Sequence, residues 1–161
     1  MNDQRTTTED FRREDVIIRA MRQSDVPTII ALDAQVFGTE RPAYYEQKLT
    51  TFDPANPQAP AVFLTADYHD VVVGFVMGTL AYGEFGLPQI TSLIDSIAVY
   101  PRCQRQGIGQ RLIEAFIEES RRRGAVSVTT LVNWDNWLLL KVFHSLGFSL
   151  AASIPLERRI D

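Results

Sequence analysis

Nine residues, Pro101-Arg102-Cys103-Gln104-Arg105-Gln106-Gly107-Ile108-Gly109, stand between a strand pattern and a helix pattern. A helix starting there leaves its first four N–H groups unpartnered and carries about half a positive charge, and glycine lets an anion approach the backbone closely. The chemistry this favours is binding of a phosphate or pyrophosphate. Arg102, Arg105 and Arg111 stand where they can add charge. Two other phosphate loops are excluded by spacing: a dinucleotide fingerprint needs Gly where Leu112 stands, and a Walker loop needs Gly-Lys-Ser/Thr. Taken alone, a Gly-x-Gly pair reads more readily as a simple turn.

Few other side chains suit catalysis. Asp95 alternates with Leu93, Ile97 and Val99 and is expected to share their face, where a carboxylate takes a proton or relays it through water. A hydrogen-bonded structural Asp is the competing reading. Cys103 has no evident base beside it, His144 reads as a surface or packing histidine, and Trp134 and Trp137 read as core. No metal-ligand set is expected.

The elements that must position these residues follow from periodicity and punctuation. A polar tail is expected over 1–15 and one domain over 16–161. Val16–Arg19 reads as a strand, and Ser24-Asp25-Val26-Pro27 as the capped start of a helix reaching Val36. A second helix spans Arg41–Leu49, and the proline-rich stretch Asp53–Pro60 is a loop. Ala61–Ala66 and Val71–Leu80 form a hairpin around Tyr68-His69-Asp70, and Gln89–Val99 is a further strand. In the helix that follows, Ile108, Leu112, Ala115 and Phe116 fall at helical spacing, Glu118/Arg122 and Glu119/Arg123 pair outside, and Gly124 ends it. Val126–Val132 is a strand, Asp135–Leu146 a helix, and Phe148–Ala152 and Leu156–Ile160 two closing strands. The expected order is β-α-α-β-β-β-α-β-α-β-β, an α/β (α+β) arrangement with helices on both faces of a mixed, mainly antiparallel sheet.

Composition agrees with a globular chain: 161 residues, 45% hydrophobic and 22% charged, with no apolar run of membrane-spanning length. The first residues lack a secretory h-region and Cys103 is the single cysteine, so a cytoplasmic setting is expected. The net charge of −4 argues against a nucleic-acid partner. Its distribution is uneven, with −7 over residues 1–100 and +3 over 101–161, which makes the second part the natural place for an anionic ligand.

Gln104-Arg105-Gln106-Gly107-Ile108-Gly109 resembles the (Gln/Arg)-x-x-Gly-x-(Gly/Ala) motif of the GNAT superfamily of N-acetyltransferases, with Ile97-Ala98-Val99-x-Pro101 before it. The likeness extends to Ile18-Arg19 followed by Asp25, and to Asn136 through Gly147-Phe148. The resemblance implies the GNAT fold and transfer of an acetyl group from acetyl-CoA directly onto an amine, without a metal. It implies that the backbone of Ile97, Ala98 and Val99 pairs with the pantetheine arm, that the N–H groups of Arg105 to Gly109, with Gln104 before them, hold the pyrophosphate, and that Asn136 hydrogen-bonds the pantetheine. The acceptor is expected to be a small-molecule, peptide or protein amine, bound by the first two helices around Phe37–Tyr45. No membrane partner is expected, and a homodimer is compatible with this reading.

The sequence departs from the family at three positions. Phe143 stands where many members keep a tyrosine that protonates the leaving thiolate. Leu131 stands where the ribosomal-protein alanine N-acetyltransferases keep a glutamate base, and Leu93 lies near that of histone-type members. Asp95 remains as the candidate catalytic residue. The alternatives are a transferase using another acyl-CoA and a non-catalytic acyl-CoA sensor.

Overall fold

The computed structural model describes residues 11–160 except residues 54 and 57. Most of the expected N-terminal tail lies outside the described residues; of its described part, Arg13–Asp15 form one 3-10 turn. The chain divides into two compact units, the first ending at Leu131 and the second starting at Val132.

The first unit contains β1 (Val16–Ala20), α1 (Val26–Phe37), α2 (Pro42–Leu49), β2 (Ala61–Tyr68), β3 (Val71–Tyr82), β4 (Ile90–Val99), α3 (Ile108–Arg122) and β5 (Ala125–Thr130). Its five strands form one sheet in sequence order, antiparallel from β1 to β4 and parallel between β4 and β5. The parallel step follows from α3, since parallel neighbours need a crossover and the intervening helix supplies it. His69 and Asp70, at φ 49° and 63°, make the two-residue turn whose left-handed backbone suits the twist of the β2–β3 hairpin.

Strand β3 sets the layers. Phe75 and Met77 join Met21, Ile29, Leu32 and Tyr45 in a core on the α1 and α2 side. The alternate positions Gly74 and Gly78 face Leu112 and Phe116 of α3. A Cβ at Gly78 would stand 2.1 Å from the Leu93 carbonyl oxygen and 2.6 Å from Phe116 Cζ, so this close approach admits only glycine. Helix α3 buries Ile108, Leu112, Ile113, Phe116 and Ser120, and its exposed face is polar. Its outer ion pairs differ from expectation in part: Glu119 holds both Arg122 and Arg123, while Glu118 takes Arg121 rather than Arg122. Residues three apart are as near as residues four apart on a helix, so Arg121 competes on equal terms.

Asp25 does not cap α1 with its side chain. Its carboxylate instead accepts two hydrogen bonds from the Arg19 guanidinium, at 2.7 and 3.0 Å, and one from the Arg22 N–H. Arg19 Nε also donates to Asp67, which ties β1 and β2 to the start of α1. Burial alone would push the Asp25 carboxyl up, but Arg19 and the Arg22 N–H outweigh it and hold the group below its ordinary value.

In the second unit Asn136 caps α4 (Trp137–Ser145), its Oδ1 accepting from the Leu139 N–H at 3.2 Å. Phe143 is buried and meets Phe148 edge-on, with ring centres 4.9 Å apart. The two expected closing strands do not form. Residues 148–160 carry no strand pairing, and Leu150, Leu156 and Ile160 are over 90% exposed. Alternating apolar residues suit a strand face, but a strand exists only where another edge takes its N–H and C=O groups, and Pro155 removes one donor. Trp134 and Trp137 are exposed rather than core, flanking the start of a short capped helix. No helix among the described residues is long and apolar enough to cross a membrane.

Candidate functional site

The site begins with an irregularity in β4. Met77 pairs with Ser96 and the next residue, Gly78, pairs with Ile94, which leaves Asp95 as an extra residue. Such a bulge breaks the alternation of a strand and re-aims the side chain it carries. Ser96 lies beside Tyr44 of α2, and Ala98 belongs to the α1 and α2 core. Val99 faces α3, its Cγ2 lying 4.0 Å from a Cβ built at Gly109. Asp95 therefore keeps the face of Leu93 but not that of Ile97 and Val99, as uninterrupted alternation had implied. It points to the α2 side.

The same irregularity coincides with an opening of the sheet. Strand β5 pairs with β4 only over Ile90–Ile94, and the Thr129 and Thr130 hydroxyls close that stretch by donating to the Ser92 and Ile94 carbonyls. From Asp95 to Val99, no strand among the described residues takes the edge of β4 that faces away from β3. An exposed edge of this kind is a template for an extended, amide-bearing ligand.

The open edge runs into the turn at residues 101–109. A 3-10 turn over Pro101–Cys103 redirects the chain, and Gln104 Nε2 donates to the Val99 carbonyl at 2.9 Å. Arg105 and Gly107 both take left-handed backbone, at φ 62° and 78°. Gly107 begins α3 with no side-chain cap, so the first helical N–H groups point out of the turn. Left-handed residues here gather backbone N–H groups into an anion-binding concavity. The cradle is open: a Cβ at Gly107 would meet only Gln110 Oε1 at 3.8 Å and Arg13 Nη1 at 3.9 Å, and one at Gly109 only Val99. These residues fit a ligand that combines an amide arm with a pyrophosphate.

Only some of the expected arginines serve the turn. Arg111 is committed elsewhere, donating to the carbonyls of Arg13 and Val16 at 2.7 Å each. Arg102 lies over the Tyr100 ring. Arg105 is exposed on the turn itself. Arg13, which sequence reasoning missed, brings its guanidinium to Gly107 from the segment before β1. Cys103 is buried, and burial pushes its thiol up despite Arg102, which keeps it neutral and unsuited to nucleophilic attack. His144 is exposed. Leu93 and Leu131 also lie exposed and supply no base.

On the α2 side, Asp95 Oδ2 accepts from Lys48 Nζ at 2.8 Å. Lys48 was not singled out in the sequence, because 47 residues separate the partners. The α1–α2 connection is held by Arg41, which makes a bidentate pair with the fully buried Asp33 and covers the Phe37 and Tyr44 rings at 4.4 and 4.7 Å. Tyr45 is buried and its hydroxyl finds no hydrogen-bond partner among the described residues. Burial, with Asp33 adding to it, pushes that hydroxyl far up, so Tyr45 is no proton donor.

Comparison with known proteins shows the family of the chain. A mycothiol acetyltransferase of Saccharopolyspora erythraea is 30% identical over 138 residues, which is 83% of this chain but 44% of that protein. An N-alpha-acetyltransferase of Sulfurisphaera tokodaii is 28% identical over 81% of this chain and 78% of its own length. The [ribosomal protein bS18]-alanine N-acetyltransferase of Escherichia coli is 39% identical over 47% of this chain and 49% of its own. The chain thus spans less than half the length of two of these three relatives. Among solved structures, AAC(6')-Iy in complex with a CoA-linked bisubstrate analogue superposes with a TM-score of 0.75 at 18% identity, covering 91% of this chain and 99% of that one. The model of the Acetyltransferase (GNAT) family matches residues 21–148, and the chain, with its five-stranded mixed sheet and its glycine turn at the head of α3, belongs to that family.

Proposed function

We propose that this chain is an acetyl-CoA-dependent N-acetyltransferase that passes the acetyl group directly to a primary amine in the cytoplasm. The observation that carries this is the continuity of the open β4 edge at Asp95–Val99 with the uncapped start of α3. Family membership and relatives whose names specify N-acetylation support the direction of transfer.

Acetyl-CoA supplies a thioester-activated acetyl group. Ile97 and the Val99 N–H offer backbone groups to the pantetheine arm; the Val99 carbonyl is already taken by Gln104, and Ala98, in phase with the Tyr100 N–H that donates to Val73, turns its backbone to β3. The N–H groups of Arg105, Gln106, Gly107, Ile108 and Gly109 take the pyrophosphate, with Arg13 and Arg105 adding charge. Strand β4 holds the acetyl carbonyl near the bulge, where a backbone N–H outside the ladder can stabilise the oxyanion. Asp95 takes the proton of the attacking amine directly or through water. Phe143 offers no proton, and a thiolate, with an ordinary pKa of about 8.5, leaves without one. Most of the acceleration then comes from holding amine and thioester together.

The test is release of free CoA from acetyl-CoA across small amines, polyamines, aminoglycosides and peptide N-termini. Release with any acceptor supports an enzyme. Binding of acetyl-CoA without turnover across the panel would overturn it in favour of a sensor, and turnover only with a longer acyl-CoA would change the donor.

A further inference from the structure

Lys48, unlike its partner Asp95, has no role in the transfer just described. Two cations lie against the Tyr44 ring, and they are held very differently. Arg41, 4.7 Å from the ring centre, is locked by two hydrogen bonds to the fully buried Asp33. Lys48 Nζ lies 5.8 Å from the same centre and makes one contact with Asp95, and both side chains keep some solvent access, at 26% and 15%. A single, partly solvated ion pair is worth little and exchanges readily. Asp95 is also the bulged residue where β4 parts from β5, so the pair sits at the mouth of the open edge.

We infer that the Asp95 carboxylate and the Tyr44 ring form an ammonium subsite for the acceptor, and that Lys48 occupies it in the free protein as an intramolecular competitor. The inference rests on the acceptor side of the proposed reaction and deepens it. The acceptor class it names is an amine bearing a second ammonium group, a diamine or polyamine rather than a neutral or carboxylate-bearing amine; one Asp95 oxygen holds that ammonium and leaves the other to take the proton of the attacking nitrogen. A carboxylate together with an aromatic face is the pair of groups that recognises such a cation. The net charge of −7 over residues 1–100 favours the same ligands. Lys48 is then a specificity-determining residue: an acceptor must displace its ammonium before it can reach Asp95.

The probe is butyltrimethylammonium, a cation with no nitrogen to acetylate, compared with its uncharged carbon isostere. Binding is followed by ligand-observed NMR on the whole chain. Removing a competitor that fills the site most of the time should tighten apparent affinity by the reciprocal of the free fraction, about three- to fivefold for an ion pair of this exposure. Lys48→Met should show that gain for the cation and none for the isostere, Lys48→Arg should restore the wild-type value, and Asp95→Asn in the Lys48→Met background should abolish the gain. Lys48→Gln serves if the methionine variant melts markedly lower. Equal or weaker cation binding after removal of Lys48 would overturn the inference, as would a gain that survives Asp95→Asn. These outcomes need no turnover, so they are distinct from failure of the transferase reading. Where an acceptor is found, Lys48→Met should lower KM for cationic amines and not for neutral ones, whereas a merely structural lysine would alter both classes of amine alike.

Discussion

Gly107→Val tests the turn, provided that backbone strain is separated from obstruction of the ligand. Gly107 has φ +78° and only two distant side-chain atoms near the position of a Cβ, so the variant meets no steric clash in the free protein. Its cost is that of an L-residue in left-handed backbone, about 2 kcal/mol for a β-branched side chain at the upper end of the usual range. In a chain of this size that lowers Tm by roughly 4–8 °C. Gly83 is a matched control, also at φ +78° with nothing within 4 Å of a built Cβ, but at the far end of β3. Gly83→Val should melt lower by the same amount. Only Gly107→Val should lose acetyl-CoA in calorimetry, because its branches fill the cradle. Two lost charge-assisted hydrogen bonds, at about 1.5–3 kcal/mol each, correspond to at least about 100-fold in Kd. Equal melting losses with an unchanged Kd in Gly107→Val would refute the assignment of this turn.

Three further outcomes follow from the same geometry. Asp95→Asn should lower kcat about 100-fold with acetyl-CoA affinity unchanged, measured by CoA release with the best acceptor of the panel. Gly78→Ala should cost at least about 3 kcal/mol, seen in urea melts, because its Cβ would meet a backbone oxygen that cannot swing aside. The Asp25 carboxyl is held below its ordinary 3.8, so its stabilising contribution is complete above about pH 4 and is lost as pH falls through the lower folded value. Asp25→Asn should therefore lower stability at pH 7 and flatten the acid limb of stability against pH; an unchanged limb would show that Asp25 does not set it.

The legible parts of the sequence were those governed by local rules. Apolar spacing marked α3, Pro27 marked a helix start, and the His69-Asp70 turn lay between two β-rich runs. The turn before α3 was legible because a strand, two glycines and a helix follow one another within a few residues. What escaped depended on partners distant in sequence. Arg111 looked available until the carbonyls of Arg13 and Val16 claimed it, 95 and more residues away. Asp25 looked like a cap until Arg19 claimed its carboxylate. The closing strands failed for a related reason: side-chain alternation can be read from residues 148–160, but the edge that would pair with them cannot.

The bulge at Asp95 joins these threads, since it is the point at which a single extra residue separates two jobs. In an unbroken strand, the face that carries the Asp95 carboxylate toward α2 would continue through Ile97 and Val99, and the edge of β4 would continue to pair with β5. Here Ile94 still pairs with Thr130, while Ser96 and Ala98 have changed faces and the edge beyond has lost its neighbour. Neither change was visible in the alternation of β4 itself, because the cause lies on β3. At Gly78 the absence of a side chain lets the Leu93 carbonyl come within 2.1 Å of where a Cβ would be, while Phe116 packs from α3. A residue with no chemistry of its own thus allows β4 to pair out of register, which turns a carboxylate toward α2 and leaves a backbone edge open beside the start of α3.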